Sequence, residues 1–272
     1  MRSFGEKSMI KVLVSGACGK MGKEVVNAIN EAHDTELVGA VDVINVGEDI
    51  GLIALGKANS IKITNDLKDT ILNVKPDVVI DFTQPDSAFV NAKTIIEASA
   101  RPVIGTTGLK DNEIDELKAL AKEKNLSGLI APNFTTGAVL MMMFAQMAAK
   151  YFDNAEIIEY HHNKKKDAPS GTAVKTAQLM SEVKADFDAG NIADIETIKG
   201  SRGGIAPSDI HIHSVRMPGY MASQEVLFGS QGQILSIRHD SVDRKCYMPG
   251  VLMATRYVMD NNEFIYGLDN IL

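Results

Sequence analysis

Short apolar runs alternate with amphipathic runs along the first half of the chain, and this alternation restricts the possible folds more than any other feature. Its apolar runs predict strands and its amphipathic runs predict helices. The run at 78–82 is apolar without a break apart from Asp81, as expected where both faces of a parallel sheet are covered. The pattern therefore predicts an α/β domain with a doubly wound parallel sheet.

Past Asn133 the pattern changes, because strand-like runs follow one another with few helical segments between them. The predicted strands are 10–14, 36–41, 61–63, 78–82, 102–104, 128–131, 155–160, 209–217, 225–229 and 233–239. The predicted helices are 23–31, 66–72, 87–98, 111–124, 138–151, a segment from Thr172, and 249–259, with a loop at 47–56 and a short tail. The second half therefore predicts a smaller α+β domain with a mixed sheet.

A glycine-rich turn joins the first predicted strand to the first predicted helix. Residues 16–22 read G-x-x-G-x-x-G, and Asp42 ends the next strand. Small residues let the backbone approach a pyrophosphate at a helix N-terminus, and a carboxylate at that distance can bind a ribose diol. The context favours a Rossmann-like dinucleotide site over a tight turn without a ligand. Cys18 could be a redox thiol at the helix N-terminus, but a packing role is the better interpretation.

Two further turns follow strands of the same predicted sheet. Gly105-Thr106-Thr107-Gly108 follows one strand, and Ala131-Pro132-Asn133-Phe134 follows the next. Ligands of open α/β sheets bind beyond the carboxyl ends of the strands. Either turn alone is more often structural, but together with the glycine turn they predict the rim of a cofactor cleft.

The segment 159–172, with sequence EYHHNKKKDAPSGT, carries the densest polar cluster of the chain. Two imidazoles and three ammonium groups offer proton donors near neutral pH and a positive field for an anionic ligand. A solvated loop is the plainer alternative. His161-His162 and His211-x-His213 also raise the possibility of zinc, but no cysteine or Glu-x-x-His pattern completes a site, so we expect no metal.

Composition excludes several functional classes. The formal net charge of −7 argues against nucleic-acid binding, and Cys18 and Cys246 give no disulfide framework, which fits a reducing cytosol. The longest uncharged stretch, 126–149, contains Pro132 and Gly137 and does not read as a membrane span. The first residues carry no secretory pattern. We therefore expect a cytoplasmic protein that contacts neither membrane nor nucleic acid.

Taken in order, the glycine turn, Gly-Thr-Thr-Gly and Glu-x-His-His-x-x-Lys-x-Asp-Ala-Pro-Ser-Gly-Thr-Ala resemble the dihydrodipicolinate reductase family over nearly the whole chain. The long loop motif is highly specific, whereas the glycine turn is not. The resemblance implies a dinucleotide-binding domain at 1–134 and 244–272, and a substrate-binding and oligomerisation domain at 135–243. It also implies a homotetramer and a small dicarboxylate substrate.

The resemblance assigns roles to residues at matching positions. Catalysis falls on His161 and Lys165, and substrate binding on His162, Gly171 and Thr172. The implied cofactor contacts are Gly16, Ala17, Cys18, Gly19, Lys20, Met21, Asp42, Gly105, Thr106, Thr107, Ala131, Pro132, Asn133 and Phe134. Asn163 and Lys164 depart from the Arg and His that relatives often carry there, and Val43 stands where NADPH-using relatives can carry Arg.

The activity implied by the resemblance is NAD(P)H-dependent hydride transfer to a cyclic dicarboxylate imine, giving tetrahydrodipicolinate in the diaminopimelate route to lysine. We expect NADH to be preferred and NADPH to be accepted, because Asp42 favours a free ribose 2′-hydroxyl. Either His161 or Lys165 could deliver the proton. Two alternatives remain open: another two-domain nicotinamide enzyme, such as an amino-acid dehydrogenase, and a non-catalytic nucleotide-binding sensor.

Overall fold

The computed structural model describes residues 8–187 and 195–272. The strands are β1 Ile10–Ser15, β2 Thr35–Val41, β3 Ile63–Thr64, β4 Val78–Asp81, β5 Arg101–Ile104, β6 Gly128–Ile130, β7 Asn154–His161, β8 Gly204–Ile205, β9 His211–Arg216, β10 Ala222–Ser230, β11 Gln233–Ser241 and β12 Phe264–Tyr266. The α-helices are α1 Lys20–Glu31, α2 Ile50–Ala54, α3 Leu67–Val74, α4 Pro85–Glu97, α5 Asp111–Glu123, α6 Thr136–Ala149, α7 Gly171–Ser181 and α8 Met248–Asp260. Short 3-10 turns occupy Pro207–Asp209, Arg244–Tyr247 and Leu268–Ile271.

The chain forms two units, Met1–Phe134 with Tyr247–Leu272, and Thr135–Cys246. The first unit contains a seven-stranded sheet in the order β12-β6-β5-β4-β1-β2-β3, and its strands pair in parallel. All four residues of the central strand β4 are buried, because helices cover both faces of the sheet. The predicted Rossmann-like parallel sheet is therefore confirmed.

Two elements of the first unit differ from the sequence prediction. Helix α2 lies inside the predicted loop at 47–56, and the Asp49 carboxylate caps it by accepting hydrogen bonds from the Gly51 and Leu52 N–H groups. Strand β12 lies in the predicted tail and pairs in parallel with β6 at the edge of the sheet. Each element is too short to show a hydrophobic period of its own.

The second unit is built on a five-stranded sheet in the order β11-β10-β7-β9-β8. Pairing is antiparallel except between β7 and β9, which run in parallel, so the sheet is mixed as predicted. Helices α6 and α7 pack on one face of this sheet. Their shared core includes Ala145, Ile157, Ala177, Met180, Ile212, Val226 and Phe228.

Alternation along β7 decides which side chains reach that core. Ala155, Ile157 and Glu159 are buried on the helix side, whereas the residues between them are only half-buried. Because β9 is in register with β7, Arg216 lies beside His161 on the same face. A carboxylate, an imidazole and a guanidinium therefore continue an otherwise apolar row.

Candidate active site

The glycine turn of the first unit is closed so tightly that side chains do not fit. Gly16 has a φ of +77°, and a Cβ on it would lie 2.5 Å from the Phe82 carbonyl oxygen. A Cβ on Gly22 would lie 2.0 Å from the Gly16 carbonyl oxygen. Gly19 caps α1 without a side-chain hydrogen bond, so the first-turn N–H groups of the helix are offered to a ligand. The turn has the geometry of an anion-binding cradle.

The Asp42 carboxylate, which follows β2, supports this turn. Its Oδ2 accepts a 2.8 Å hydrogen bond from the Cys18 N–H, and its Oδ1 accepts a 3.2 Å bond from the Ile44 N–H. The next residue, Val43, is 86% exposed and brings no cation to the carboxylate. Burial raises the pKa of the Cys18 thiol. A hydrogen bond with Asn45 lowers this pKa by less, so it stays above its ordinary value. A raised thiol pKa agrees with packing and not with redox chemistry.

A cavity of about 360 Å³ lies beside the glycine turn within the first unit. Its lining residues are Gly19, Lys20, Met21, Phe82, Thr83, Gln84, Pro85, Gly105, Thr106 and Thr107. The structure thus places parts of two predicted turns, 16–21 and 105–107, around one space. It adds residues 82–85, which the sequence interpretation did not assign to a site. The sequence could have identified residues 82–85 as site residues, because they follow the buried strand β4 at the carboxyl edge of the sheet.

Buried Asp81 holds the cavity walls together. Its Oδ1 accepts hydrogen bonds from the hydroxyls of Thr83 and Thr106, at 2.8 and 2.9 Å, and its Oδ2 accepts one from Asn91 at 2.9 Å. The Thr106 hydroxyl in turn accepts the Thr83 N–H at 2.9 Å. One carboxylate at the end of β4 therefore fixes two neighbouring turns.

The third predicted turn, 131–134, does not line this cavity. Ala131 and Phe134 are buried, and the Phe134 ring centroid lies 5.8 Å from that of Phe82, which does line it. The Phe134 carbonyl also packs against Gly250 of α8, where a Cβ would lie 2.1 Å from the oxygen. Pro132 is exposed and Asn133 is half-buried. Of this segment, Phe134 is the residue that packs against the cavity wall, through Phe82.

In the second unit, β7 ends in a pair formed by Glu159 and His161. The Glu159 side chain is 0% exposed, and its Oε2 lies 2.5 Å from the His161 Nδ1. The Arg216 guanidinium donates to both carboxylate oxygens, at 2.8 and 2.7 Å. Burial disfavours the ionised carboxylate, but hydrogen bonds from His161, Arg216 and Ser214 outweigh it and lower the pKa of Glu159 to about 2. Glu159 is therefore an anion at neutral pH.

The loop after His161 distinguishes one of its three lysines. Lys165 is half-buried, with 20% of its side chain exposed, and its Nζ donates a 2.7 Å hydrogen bond to the exposed Asp167 carboxylate. That hydrogen bond holds the pKa of Asp167 below its usual range. Lys164 and Lys166 are exposed, as is His162. The structure therefore gives Lys165 a defined position between two solvated neighbours.

Helix α7 begins where this loop ends. Ser170 is its buried N-cap, and its hydroxyl accepts a 3.3 Å hydrogen bond from the Ala173 N–H. Gly171 is exposed, with open space where a Cβ would stand, and Thr172 is half-buried. His161, Lys165, Gly171 and Thr172 thus lie between the end of β7 and the first turn of α7. A helix N-terminus beside cationic groups suits a carboxylate.

The other histidine pair lies on the opposite face of the same sheet. His213 Nε2 is 2.8 Å from Glu156 Oε2, and His211 Nδ1 is 2.6 Å from the Arg202 carbonyl oxygen. Over 8–187 and 195–272, no group of three His, Cys, Asp or Glu side chains is arranged to hold a metal ion. Both imidazoles therefore have hydrogen-bond partners on the polar side of the sheet, away from the loop after β7.

Sequence interpretation included Glu159 in the loop motif without giving it a role, and it missed Arg216. Glu159 had a weak signal, because it is a charged residue at a position of β7 that alternation assigns to the core. Arg216 had no such signal, because it lies 57 residues from Glu159 and only strand pairing brings it beside β7.

None of the helices within residues 8–187 and 195–272 combines the length and the apolar character that a membrane span requires.

Comparison with known proteins covers both units. Residues 10–134 match the family described as dihydrodipicolinate reductase, N-terminus, and residues 137–272 match dihydrodipicolinate reductase, C-terminus. A 4-hydroxy-tetrahydrodipicolinate reductase from Gloeothece citriformis is 47% identical, covering 98% of this chain and 99% of its own. One from Listeria innocua is 49% identical, covering 97% of this chain and 100% of its own.

Solved structures give the same result. A dipicolinate-bound dihydrodipicolinate reductase from Paenisporosarcina sp. TG-14 superposes with a TM-score of 0.87 at 42% identity, covering 97% of this chain and 100% of that one. An amine dehydrogenase from Mycobacterium smegmatis superposes with a TM-score of 0.70 at 15% identity, covering 97% of this chain and 96% of its own, which shows a shared fold alone.

Proposed function

Because this chain belongs to the dihydrodipicolinate reductase family, we propose that it is a 4-hydroxy-tetrahydrodipicolinate reductase. It is an oxidoreductase that uses a pyridine nucleotide and yields tetrahydrodipicolinate in the diaminopimelate route to lysine. The observation that carries this proposal is the continuous match across both units to relatives bearing that name. The specific loop between β7 and α7 lies inside the matched region.

The first unit fits a dinucleotide. Its glycine cradle, where a Cβ on Gly22 would collide with backbone, leaves room for a pyrophosphate at the start of α1. We assign nucleotide binding to the predicted segments 16–21, 105–107 and 131–134 together with Asp42, and add Thr83 from the cavity wall. When bound, the reduced nicotinamide supplies the hydride, while the chain supplies position, charge and a proton.

The nucleotide preference in this proposal is for NADH, with NADPH also accepted. The Asp42 carboxylate is held by two backbone N–H groups and suits a ribose diol, whereas it would repel a 2′-phosphate. Exposed Val43 brings no cation to offset that repulsion. In this proposal NADH is therefore favoured over NADPH, and NADPH is still accepted.

The second unit supplies groups for a dicarboxylate. In this proposal the N–H groups of Gly171 and Thr172 bind one carboxylate at the start of α7, and exposed His162 adds a donor. The Lys165 ammonium exchanges its hydrogen bond to Asp167 for a charge-assisted hydrogen bond to the incoming substrate anion. His161 exchanges the proton that the reduced ring requires. A relative was solved with dipicolinate bound, which supports a planar dicarboxylate as ligand.

Assembly and location complete the proposal. On the face of the second sheet opposite α6 and α7, the Ile234 side chain of edge strand β11 is 80% exposed. Partner copies that cover this face would give a homotetramer. Two free cysteines fit a cytoplasmic enzyme.

The deciding experiment couples this protein to a synthase that makes the substrate from pyruvate and aspartate semialdehyde, and follows NADH oxidation. We expect turnover that depends on both the synthase and its two substrates, and inhibition by dipicolinate that is competitive with the dicarboxylate. Oxidation of NADH with a 2-oxo dicarboxylate and ammonia instead would indicate an amino-acid dehydrogenase. NADH binding without oxidation under either condition would indicate a nucleotide sensor.

A further inference from the structure

The Glu159–Arg216 pair is an ion pair on the face of a sheet that otherwise builds the apolar core. Glu159 continues the buried row of Ala155 and Ile157, and none of its side chain is exposed. Burying a charge costs several kcal/mol unless it is paired and hydrogen-bonded. Two well-packed apolar residues would serve the core at least as well, so this pair calls for a role other than stability.

Several contacts of the pair lead to the loop between β7 and α7. Arg216 Nη2 donates a 2.8 Å hydrogen bond to the Asp167 carbonyl oxygen, and Glu159 Oε1 accepts a 3.3 Å bond from the Ser170 N–H. The Met217 N–H binds the His161 carbonyl oxygen at 3.0 Å. The pair therefore holds the start, the middle and the end of one loop.

The contact from Glu159 to His161 fixes which ring nitrogen carries a proton. An ionised carboxylate only accepts hydrogen bonds, so an imidazole nitrogen 2.5 Å from it must be the donor. Besides His161, the charged group hydrogen-bonded to Glu159 is Arg216 on β9, whose Nη2 also donates to the Asp167 carbonyl oxygen; β10 places neutral Gln224 in register with Glu159.

We propose that Glu159, held by Arg216, is a positioning residue that keeps His161 protonated on Nδ1, so that Nε2 is the nitrogen that exchanges a proton with the substrate. This inference rests on the proposed function, in which His161 transfers that proton. The arrangement matches the general logic by which a carboxylate orients a catalytic imidazole and selects its tautomer. Glu159 itself touches neither substrate nor nucleotide in this proposal.

The kinetic test replaces Glu159 with Gln, which keeps the size and removes the charge. We expect kcat to fall at least ~10-fold, as for outer-shell partners of functional histidines, while the substrate KM changes less than about 3-fold. The matched control is Glu156→Gln on the same strand. Glu156 also pairs with a histidine and an arginine, His213 and Arg202, but on the opposite face. That variant should keep kcat within about 2-fold of the wild type.

A second variant separates positioning from folding. Glu159→Gln alone leaves the half-buried Arg216 guanidinium without its counter-charge, which can unfold the unit. The double variant E159Q/R216Q removes both charges and should regain thermal stability while kcat stays at least ~10-fold low. If the double variant regains wild-type kcat together with stability, the pair is purely structural and the inference is wrong.

A spectroscopic test needs no activity. Long-range ¹H–¹⁵N correlation of histidine-labelled protein reports the tautomer of each imidazole, and the His161 signals are identified by their loss in H161Q. We expect the Nδ1–H form in the wild type, and an Nε2–H or mixed form in E159Q. An Nε2–H tautomer in the wild type would overturn the inference by itself. A wild type with the Nδ1–H form but no reductase activity would instead refute the proposed function and leave the positioning intact.

Discussion

At the scale of single residues, three adjacent lysines show how position separates identical side chains. Lys165 is half-buried and bound to Asp167, whereas Lys164 and Lys166 are exposed. All three contribute to the positive field around the loop, but a field alone does not place a proton donor within reach of a reacting atom. Neighbouring lysines therefore serve as controls for one another.

Replacing Lys165 with Ala should lower kcat by about 10² to 10⁴-fold, because a positioned acid or charge-assisted donor acts on the transition state. NADH binding, measured by fluorescence titration, should stay near the wild-type value. Lys164→Ala and Lys166→Ala should each keep kcat within about 3-fold, since they alter the same field without the same position. A K165A variant with more than about a tenth of wild-type kcat would contradict the assignment.

Nucleotide preference is a second property that single residues decide. The double variant Asp42→Ser, Val43→Arg removes the repelling carboxylate and adds a cation, so its ratio of kcat/KM values should shift toward NADPH by at least ~10-fold. The control is Val46→Arg, an exposed position in the same loop, which should leave the ratio unchanged. If the wild type already favours NADPH, another basic group reaches the 2′-phosphate and the assignment to Asp42 is wrong.

At the scale of elements, strand ends carry the chemistry, and buried carboxylates link them. Asp81 joins the turns that follow β4 and β5, and Glu159 joins β7 to β9 and to the loop before α7. Each carboxylate ends or nearly ends a buried strand and accepts several hydrogen bonds. Because the strands are rigid, these hydrogen bonds fix the positions of the loops that follow them.

Replacing Asp81 with Asn should weaken NADH binding at least ~10-fold. The amide can accept fewer hydrogen bonds than the carboxylate, so Thr83 and Thr106 would no longer be fixed together at the cavity wall. Calorimetric titration with NADH measures the change. Asp86→Asn, in the first turn of α4, is the control and should leave the dissociation constant within about 2-fold. Unchanged NADH affinity in D81N would show that the two turns keep their positions without the Asp81 carboxylate.

Acid should weaken the second unit through Glu159. A glutamate with its pKa lowered from 4.5 to about 2 stabilises the folded state fully above pH 4.5, and this stabilisation is lost as the pH falls toward 2. The full loss amounts to about 3 kcal/mol at most. Thermal melts from pH 5 to pH 3 should therefore show a steeper fall of the unfolding temperature in the wild type than in E159Q. Exposed Glu97→Gln is the control and should retain the wild-type slope; equal slopes for E159Q would refute the linkage.

Most elements were predictable, because periodicity is a local property of the sequence. The parallel sheet and the mixed sheet follow from the strand-like runs, their spacing and the presence or absence of helical segments between them. Helix α2 and strand β12 were missed because five and three residues show no period. The loop site was predictable in its sequence motif, but the Glu159–Arg216 pair was not. Its two members meet through the register between β7 and β9, which no local pattern encodes.

At the scale of the whole molecule, the chain distributes its functions over two units that fold around separate cores. In the proposed function, the first unit carries the nucleotide site on a sheet covered by helices on both faces. The second carries the acid–base loop on a sheet with α6 and α7 packed on one face. Exposed apolar side chains on edge strand β11, such as Ile234, are costly in water, and an edge strand is open to further pairing. Association between copies removes both liabilities.

We therefore expect a homotetramer at micromolar concentration, measured by sedimentation equilibrium. Ile234→Asp places a charge on the exposed face of β11 and should shift the population toward smaller species by at least ~10-fold in the dissociation constant, since an unpaired charge in an apolar interface is unfavourable. Leu52→Asp is the control, because Leu52 is a comparably exposed apolar residue on the first unit and its change should leave the mass unaltered. A wild-type monomer would refute the assembly. A tetramer that I234D and L52D affect equally would assign the contact to a surface other than this sheet.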